Sequence, residues 1–379
     1  MYIFMVKFSI MTLSKKPHIH IVGHGGTIGM EDVVYPDGTK VRMPAKNAQD
    51  LLKRTSKDIQ EMANFTFSEF EKEDSTNLNP YHWSKLAHEI DRIQKDEEID
   101  AVVVTHGTDT MTYHAGAISL AMGKHLKIPV VFTGSQKPMG QEGSDATPNL
   151  EEAIMTTRGA RELGLNRTLL VFDHRVFLGS RAVKISESRF DAFDSPAFPT
   201  LGEFVGSGIV WSPVAENIAY EDKKTIHQKL DNGLKAKFDF NVVSIELTPG
   251  LNPIFPKAIL ETGKCKGLIL KSFGGGNVPD KNYKEAGQET NLIPMIKEAT
   301  NKYKVPVLVT TQFIGGKTKM DQYGPGKAAL DAGALATGDM THVMSPVKLM
   351  WLVGQTEYQT LEEVRRGMLT NFVDEISTV

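Results

Sequence analysis

Two short loops in this chain carry hydroxyl and carboxylate side chains directly after apolar runs. The loop GHGGTIG contains Thr27, and the loop THGTD contains Thr108 and Asp109. A threonine hydroxyl is a poor nucleophile until a neighbouring group removes its proton or screens the charge that it develops. A lysine that its surroundings neutralise, with an aspartate to hold it, can do this without histidine, and Lys184 is the candidate.

Each of these residues also has an ordinary structural interpretation when it is considered alone. Thr108 and Asp109 are good helix caps, placed immediately before an amphipathic pattern. Thr27 is equally well explained as a turn residue, and Lys184 as an exposed surface lysine. The functional interpretation depends on the sheet, because parallel strands bring the residues at their carboxyl ends to one edge, where ligands bind.

Residues 99–134 predict the unit that positions the THGTD loop. Residues 99–104 form an almost unbroken apolar run, as a strand buried on both faces requires. The run VVFT at 130–133 closes a parallel strand–helix–strand crossover, which is almost always right-handed. Between the two runs, a stripe at helical spacing predicts a helix packed on the sheet, formed by Met111, Ala115, Ile118 and Met122.

Further apolar runs and helix-start signals extend this α/β pattern along the chain. Strands are expected at 18–22, 168–173, 241–246, 267–271 and 305–310. Helices are expected to begin at Asn79-Pro80 and at Thr147-Pro148. Residues 31–46 show no firm period and are expected to form a mobile loop or a loose hairpin.

We expect two domains, because 379 residues exceed what one core usually fills. The chain turns polar from about residue 214 to 240, which favours a linker there. The expected division is an N-terminal extension (1–17), a catalytic α/β domain with a larger, mostly parallel sheet flanked by helices (18–222), a linker (223–240) and a smaller α/β domain (241–379).

Composition and charge exclude several classes of partner. The formal net charge is −3 without a basic cluster, which argues against nucleic acid. No segment approaches the roughly 20 apolar residues that span a bilayer. The sequence MYIFMVKFSIMTL is interrupted by Lys7, so we expect a non-secretory extension or sequence upstream of a second start at Met11. The single cysteine, Cys265, fits a reducing, cytoplasmic compartment.

Common cofactor motifs fail in this sequence. Ile28 stands where the third glycine of a dinucleotide-binding loop belongs, and Thr311 replaces the first glycine of a phosphate loop. No G-x-S-x-G elbow occurs. His18 and His20 share one strand face, but no carboxylate or cysteine lies at ligand spacing, so a hydrogen-bonded or exposed pair is favoured over a metal site. We expect no metal and no organic cofactor.

Several motifs resemble those of the bacterial-type L-asparaginase family, and of its cytoplasmic type I branch more than of its secreted branch. HGTDT beside a Gly-Gly-Thr strand end is highly specific. The resemblance implies a two-domain asparaginase-like fold whose smaller C-terminal domain is flavodoxin-like. The matching motifs, in family order, are GGTIG (25–29), THGTDTM (105–111), TGSQ-P (133–138) with SDATPNLEEAI (144–154), FDAFDSP (190–196), GGGNVP (274–279) and, more weakly, GDMT (338–341).

The resemblance also implies catalytic roles. Thr27 matches the nucleophilic threonine that attacks the side-chain amide. Thr108, Asp109 and Lys184 match a second triad, in which the lysine and the aspartate polarise a threonine hydroxyl. In that family the aspartate also contacts the α-amino group of the substrate. Tyr35 is the candidate for the tyrosine of the mobile loop.

Substrate binding is implied at two further places. Ser75 and Thr76, in EDSTNL, match the residues that hold the α-carboxylate. Asn277, in GGGNVP, resembles the asparagine that a neighbouring subunit contributes, which implies a homodimer or homotetramer with the site near a subunit interface. The full expected substrate-binding set is Gly26, Asp74, Ser75, Thr76, Gly107 and Asn277.

The sequence departs from the family pattern at a few positions. His24 stands where threonine or serine usually precedes Gly-Gly, and Ala101 replaces a glycine; we expect both to change packing only. Thr76 and Asn77 differ from the glutamine and aspartate of the secreted enzymes, which weakens any inference about how strictly glutamine is excluded.

The expected activity is hydrolysis of L-asparagine to L-aspartate and ammonia through a threonine acyl-enzyme, with glutaminase activity as a variant. Two alternatives stay open. An ammonia-supplying subunit of a tRNA-dependent amidotransferase is expected to carry an additional N-terminal domain, and only about 17 residues precede the first expected strand. The other alternative is a non-catalytic amino-acid sensor on the same fold.

Overall fold

The computed structural model describes residues 16–44, 47–206, 208–226, 233–283, 285 and 287–377. In this part of the chain, a larger sheet and a smaller sheet each have helices packed on both faces. This is the predicted α/β architecture of a larger N-terminal and a smaller C-terminal domain. Residues 1–15 of the expected N-terminal extension lie outside the described residues, as do residues 227–232 of the expected linker.

The strands follow the apolar runs of the sequence closely. In chain order they are β1 (His18–His24), β2 (Met30–Val34), β3 (Lys40–Pro44), β4 (Asn64–Glu69), β5 (Ala101–His106), β6 (Val130–Thr133), β7 (Thr168–Phe172), β8 (Arg175–Leu178), β9 (Val183–Lys184), β10 (Phe193–Asp194), β11 (Gly202–Val205), β12 (Gly208–Trp211), β13 (Val242–Glu246), β14 (Gly267–Ser272), β15 (Val307–Thr311) and β16 (Leu335–Ala336).

The larger sheet has the order β12-β11-β8-β7-β6-β5-β1-β4. Its strands from β4 to β7 are parallel, and β8, β11 and β12 extend it with antiparallel pairs. Every residue of β5 is buried, which explains its unbroken valine run. The smaller sheet is β13-β14-β15-β16, and all its pairs are parallel.

The helices connect these strands. They are α1 (Ala48–Leu52), α2 (Lys57–Met62), α3 (Pro80–Ile93), α4 (Met111–Met122), α5 (Ala146–Leu163), α6 (Pro213–Ile226), α7 (Ile254–Glu261), α8 (Ile293–Asn301), α9 (Gly324–Asp331), α10 (Met344–Gly354) and α11 (Leu361–Leu369). As predicted, α3 begins at Pro80, and Asn79 caps it with a side-chain hydrogen bond. Helix α5 begins one residue before the predicted Thr147.

Helix α4 is buried on more than the predicted face. The stripe that includes Met111 and Ile118 packs on the larger sheet. Ala117 and Leu120 lie in a second apolar cluster with residues of α10 and of the smaller sheet. A Cβ at Gly116 would lie 2.9 Å from Sδ of Met344, so the glycine permits the close approach of α4 and α10. The helix therefore joins the two parts of the core.

Two segments have sequence patterns that do not specify a single secondary structure. Residues 30–44 form an antiparallel hairpin of β2 and β3, the second of the two predicted alternatives. Residues 223–226, at the start of the expected linker, continue helix α6, which buries Ala215 and Ala219 against the larger sheet. We keep 18–222, 223–240 and 241–379 as the proposed domain division.

The C-terminal segment is fastened to both domains by buried charges. Lys348 on α10 lies 2.6 Å from Glu375, and both side chains are fully buried. Arg181, which is 1% exposed, forms an ion pair with Asp339 at 3.3 Å. The same carboxylate accepts hydrogen bonds from the backbone and hydroxyl of Ser377. Charges at such depth are stable only when they are paired.

No helix in the described ranges combines the length and apolarity that crossing a membrane requires.

We predict that Glu375→Gln lowers the free energy of unfolding by about 3–5 kcal/mol, because it leaves the buried Lys348 ammonium without its anion. Urea denaturation of the purified chain measures this change. The control is Glu162→Gln, which breaks the exposed Arg158–Glu162 pair on α5 and should cost less than about 1 kcal/mol. Equal losses in the two variants would contradict the prediction.

Candidate active site

Three loops meet at the carboxyl edge of the larger sheet. Two glycines, which have no side chain, allow the backbones of these loops to come into contact. Strands β1 and β5 pair with His24 opposite His106, so the loops that follow start side by side. Gly26 has a φ of 84°, and a Cβ there would lie 2.4 Å from the Gly107 nitrogen. A Cβ at Gly107 would lie 2.6 Å from Cβ of Ser75. Gly26, Gly107 and Ser75 therefore come together as predicted.

Lys184 joins the two polar residues of the THGTD loop. Its Nζ donates to Oγ1 of Thr108 at 2.8 Å and to Oδ1 of Asp109 at 2.6 Å. The lysine side chain is only 15% exposed, so the surface-lysine interpretation is wrong. The N-cap of α4 is Thr110, so the capping interpretation of Thr108 and Asp109 is also wrong.

The position of Lys184 is set by its short strand. Strand β9 pairs with β10, and Lys184 lies opposite the buried Phe193 of the FDAFDSP motif. Just before this strand, Ser180 donates to the backbone carbonyl of Val373, and Arg181 is held by Asp339. The segment is thus held by the pairing of β9 with β10 and by the contacts of Ser180 and Arg181, and this fixes the backbone from which the Lys184 amine reaches Thr108 and Asp109.

The Ser75 turn is fastened to the THGTD loop. Residues 75–77 form a 3₁₀ turn, and Oγ1 of Thr110 donates to the Ser75 carbonyl at 2.7 Å. Asp74 begins the turn, and its Oδ1 accepts from the Thr76 nitrogen at 2.8 Å. This hydrogen bond from Thr76 holds the pKa of Asp74 below its ordinary value. Ser75 is buried, whereas Asp74 and Thr76 are exposed to incoming ligands.

Thr27 is the first residue of a 3₁₀ turn that follows Gly26, and its side chain is half-buried. Within the described ranges, its hydroxyl makes no hydrogen bond to another side chain or to the backbone. The Thr27 hydroxyl is therefore not held by any other group in the described part of the chain. Of the two loops that meet at Gly26 and Gly107, one carries this hydroxyl, and the other carries the Thr108 hydroxyl, which accepts a hydrogen bond from the Lys184 amine.

Two expected site residues are not brought to this place by any contact in the described part of the chain. Tyr35 lies at the turn of the β2–β3 hairpin, is 45% exposed, and bonds through its backbone to Thr39. Asn277 lies in the loop after β14, where its backbone pairs with Phe273. Their expected roles in catalysis and substrate binding stay predictions.

The structure confirms that the side chains of His18 and His20 are both hydrogen-bonded, in each case to hydroxyl groups of β4. Both rings contact Oγ1 of Thr66, at 3.2 and 2.8 Å, and His20 also contacts Oγ of Ser68 at 2.9 Å. All four side chains lie on the edge pair of β1 and β4. These hydroxyl groups give both histidine rings hydrogen-bond partners, as favoured from the sequence.

A second group of three histidines was not predicted to come together. In the sequence, His24 stands out only as a departure from the family pattern and His106 only as part of the THGTD loop. His24, His106 and His114 are fully buried directly beneath the loops, with ring centroids 4.9 to 5.0 Å apart. Burial lowers the pKa of His24 to about 2 and that of His106 to about 4, and it lowers the pKa of His114 well below its ordinary value. The rings are therefore neutral at pH 7. The β1–β5 register brings His24 to the others, and no local sequence pattern shows it.

Comparison with known proteins gives the context for this site. A family model described as "Asparaginase, N-terminal" matches residues 18–216, and one described as "Glutaminase/Asparaginase C-terminal domain" matches residues 241–368. The L-asparaginase of Thermococcus kodakarensis is 30% identical over 363 residues, which cover 94% of this chain and 98% of the relative. A solved structure of the thermostable L-asparaginase from that organism has a TM-score of 0.80 and covers 96% of this chain.

Two further relatives are similar over nearly the whole chain. L-asparaginase I of Vibrio cholerae has a TM-score of 0.76 at 28% identity, covering 96% of this chain and all of the solved one. A component of the glutamyl-tRNA(Gln) amidotransferase of Pyrococcus abyssi is 31% identical over 371 residues, which cover 95% of this chain and 77% of the relative. Since both family models match and together span most of its length, the chain belongs to the asparaginase family.

Proposed function

We propose that this chain hydrolyses L-asparagine to L-aspartate and ammonia, with Thr27 as the nucleophile. The observation that carries the proposal is the contact of one lysine amine with both Thr108 and Asp109, beside the loop that presents Thr27. A largely buried amine, a carboxylate and a hydroxyl in contact can move a proton between them, which a purely structural loop does not need. The similarity to L-asparaginases supports the choice of substrate.

In the proposed reaction, Oγ1 of Thr27 attacks the side-chain amide carbon of asparagine. Tyr35 or the network linked to Lys184 accepts the hydroxyl proton, and the amide nitrogen leaves as ammonia after protonation. Backbone N–H groups of the glycine-containing turns receive the developing oxyanion, and one such donor is typically worth about 3–4 kcal/mol. Water then hydrolyses the acyl-threonine and releases aspartate. No step in this sequence calls for a metal or an organic cofactor.

The proposed substrate contacts follow from the exposed groups around Thr27. Asp109, which is 61% exposed, is placed to bind the α-amino group. The Ser75–Thr76 turn binds the α-carboxylate. We further propose a cytoplasmic homodimer or homotetramer, in which Asn277 of a neighbouring copy completes the pocket; in its own chain the asparagine contacts its own loop.

One experiment tests the function directly. Ammonia release by the isolated chain is measured over a range of L-asparagine and L-glutamine concentrations. We expect turnover of asparagine without any partner, with a higher kcat/KM than for glutamine, and a sigmoidal curve would reveal cooperativity. Tight asparagine binding without turnover would instead establish the amino-acid sensor.

The amidotransferase alternative is kept open by the 31% identity to the component of the Pyrococcus amidotransferase. A preference for glutamine, together with co-purification of a tRNA-binding partner, would establish it in place of the asparaginase. If the chain alone releases ammonia from asparagine with a higher kcat/KM than from glutamine, ammonia supply to an amidotransferase is excluded as its main activity.

Thr27→Ala should lower kcat/KM for asparagine by at least about 10³-fold, because it removes the nucleophile while binding groups remain. Thr27→Ser is the matched variant: it keeps a hydroxyl and should retain measurable turnover. Circular dichroism checks that both variants fold. An active Thr27→Ala enzyme rules out this assignment.

Lys184→Met should lower kcat by about 10²–10⁴-fold, the range for a positioned proton-transfer group. The control is Lys257→Met, which removes a half-exposed lysine of α7 paired with Glu298 and should leave the rate unchanged. A near-normal rate in Lys184→Met would show that the contacts of this amine are structural only.

A further inference from the structure

The three histidines beneath the loops lie close enough for one metal ion to contact all of them. His24, His106 and His114 each offer a ring nitrogen, and these nitrogens lie within 4.8 Å of one another. The residues come from the ends of β1 and β5 and from α4, so the cluster is built by tertiary contacts. All three side chains are fully buried.

The backbone around the cluster determines which nitrogens carry protons. Nδ1 of His24 lies 3.1 Å from the Glu71 carbonyl, and Nδ1 of His106 lies 2.7 Å from the Gly107 carbonyl. A carbonyl oxygen only accepts, so both Nδ1 atoms carry the proton and both Nε2 atoms present a lone pair. Nε2 of His106 therefore accepts a hydrogen bond from Nδ1 of His114 at 2.8 Å, so Nδ1 of His114 carries a proton in this arrangement. Nε2 of His24 is buried with no hydrogen-bond partner in the described part of the chain.

We propose that His24, His106 and His114 form a binding site for one divalent transition-metal ion, with zinc as the reference ion. His24 and His106 bind through Nε2, and His114 binds through Nδ1 after its proton moves to the unpartnered Nε2 of the same ring. Imidazole ligands suit zinc, copper and nickel, and a three-histidine set with one water is a stable zinc arrangement. The ion gives the unpartnered Nε2 of His24 a ligand bond, which relieves the cost of burying that atom alone.

The surroundings have the features that metal-binding histidines share. Such a histidine almost always donates its second ring N–H to a carbonyl, a carboxylate or water. Glu71 and Gly107 supply those carbonyls for two of the rings. The second ring nitrogen of His114, Nε2, has no hydrogen-bond partner in the described part of the chain. Tetrahedral zinc ligands lie about 3.3 Å apart at Zn–N distances of about 2.0–2.1 Å. The ring nitrogens lie within 4.8 Å of one another, with 2.8 Å between His106 and His114, so side-chain rotation must adjust these separations when the ion binds.

The ion would lie behind the catalytic loops and not among the substrate-binding groups. His24 is two residues before Gly26, and His106 directly precedes Gly107. Metal binding therefore links the roots of both loops, and its main expected effect is on the stability of that edge of the sheet. The proposed hydrolysis does not depend on it, so the two proposals fail or succeed separately.

Metal content and affinity test the proposal in the full-length chain. The protein is expressed in zinc-supplemented medium, and the zinc per chain is measured after gel filtration. A chelator-treated sample is then titrated calorimetrically with zinc chloride, with incubation long enough for the ion to reach a buried site. We expect one ion per chain, a raised melting temperature, and affinity at least about 100-fold weaker in His24→Gln and His114→Gln.

The control variant is His18→Gln, which changes the other histidine pair and should bind zinc like the unaltered chain. Cobalt(II) substitution adds a spectrum: imidazole ligands in tetrahedral geometry give visible bands, which should be lost in His24→Gln. Because a buried substitution can weaken folding, circular dichroism must first show that each variant is folded. The proposal is overturned if the unaltered chain holds no stoichiometric zinc, or if folded His24→Gln binds zinc with the same affinity. Loss of zinc binding in His18→Gln would also overturn it, because the metal would then be bound by the His18–His20 pair.

Discussion

The contact between the backbones of Gly26 and Gly107 is the constraint on which the site depends. The carboxyl ends of β1 and β5 lie closer than any side chain allows, since a Cβ at Gly26 would lie 2.4 Å from the Gly107 nitrogen. This proximity places the Thr27 turn beside Thr108. A displacement of about 1 Å between reacting groups can lower a rate 10²-fold, so glycine here is a requirement of the geometry. The parallel register of the two strands, with His24 opposite His106, sets that contact.

The amine of Lys184 depends on the second domain, although no residue of that domain touches it directly in the described contacts. Arg181, three residues earlier, is 1% exposed and is held by Asp339 from the GDMT motif. It also donates to the backbone carbonyl of Asp374. Because an unpaired guanidinium at that depth is very unfavourable, the segment cannot move away without breaking these bonds. The C-terminal residues thus fix the position of the lysine by electrostatics as well as by packing.

Local patterns predicted most of the fold because buried strands must be apolar and helices must present an apolar face. The valine run of β5 and the stripe on α4 were identified in this way. The polar stretch from residue 214 did not reveal helix α6, since a helix with one buried face and many charges resembles a linker in composition. The role of Thr108 as a partner of Lys184 depends on residues 76 positions apart in the chain, so only the family resemblance indicated it. The histidine cluster had no local indicator at all.

The polar groups at the carboxyl edge of the larger sheet differ in burial, and this difference limits which of them can reach a substrate. His106 belongs to the HGTDT motif and by residue type could serve as a general base. However, its Nδ1 donates to a backbone carbonyl, its Nε2 faces His114, and the ring has no exposed surface. A base must reach the proton that it removes, either directly or through one water. Lys184 and Asp109 keep exposed surface beside the loops, which fits the proposed role in proton transfer better than the buried histidines do.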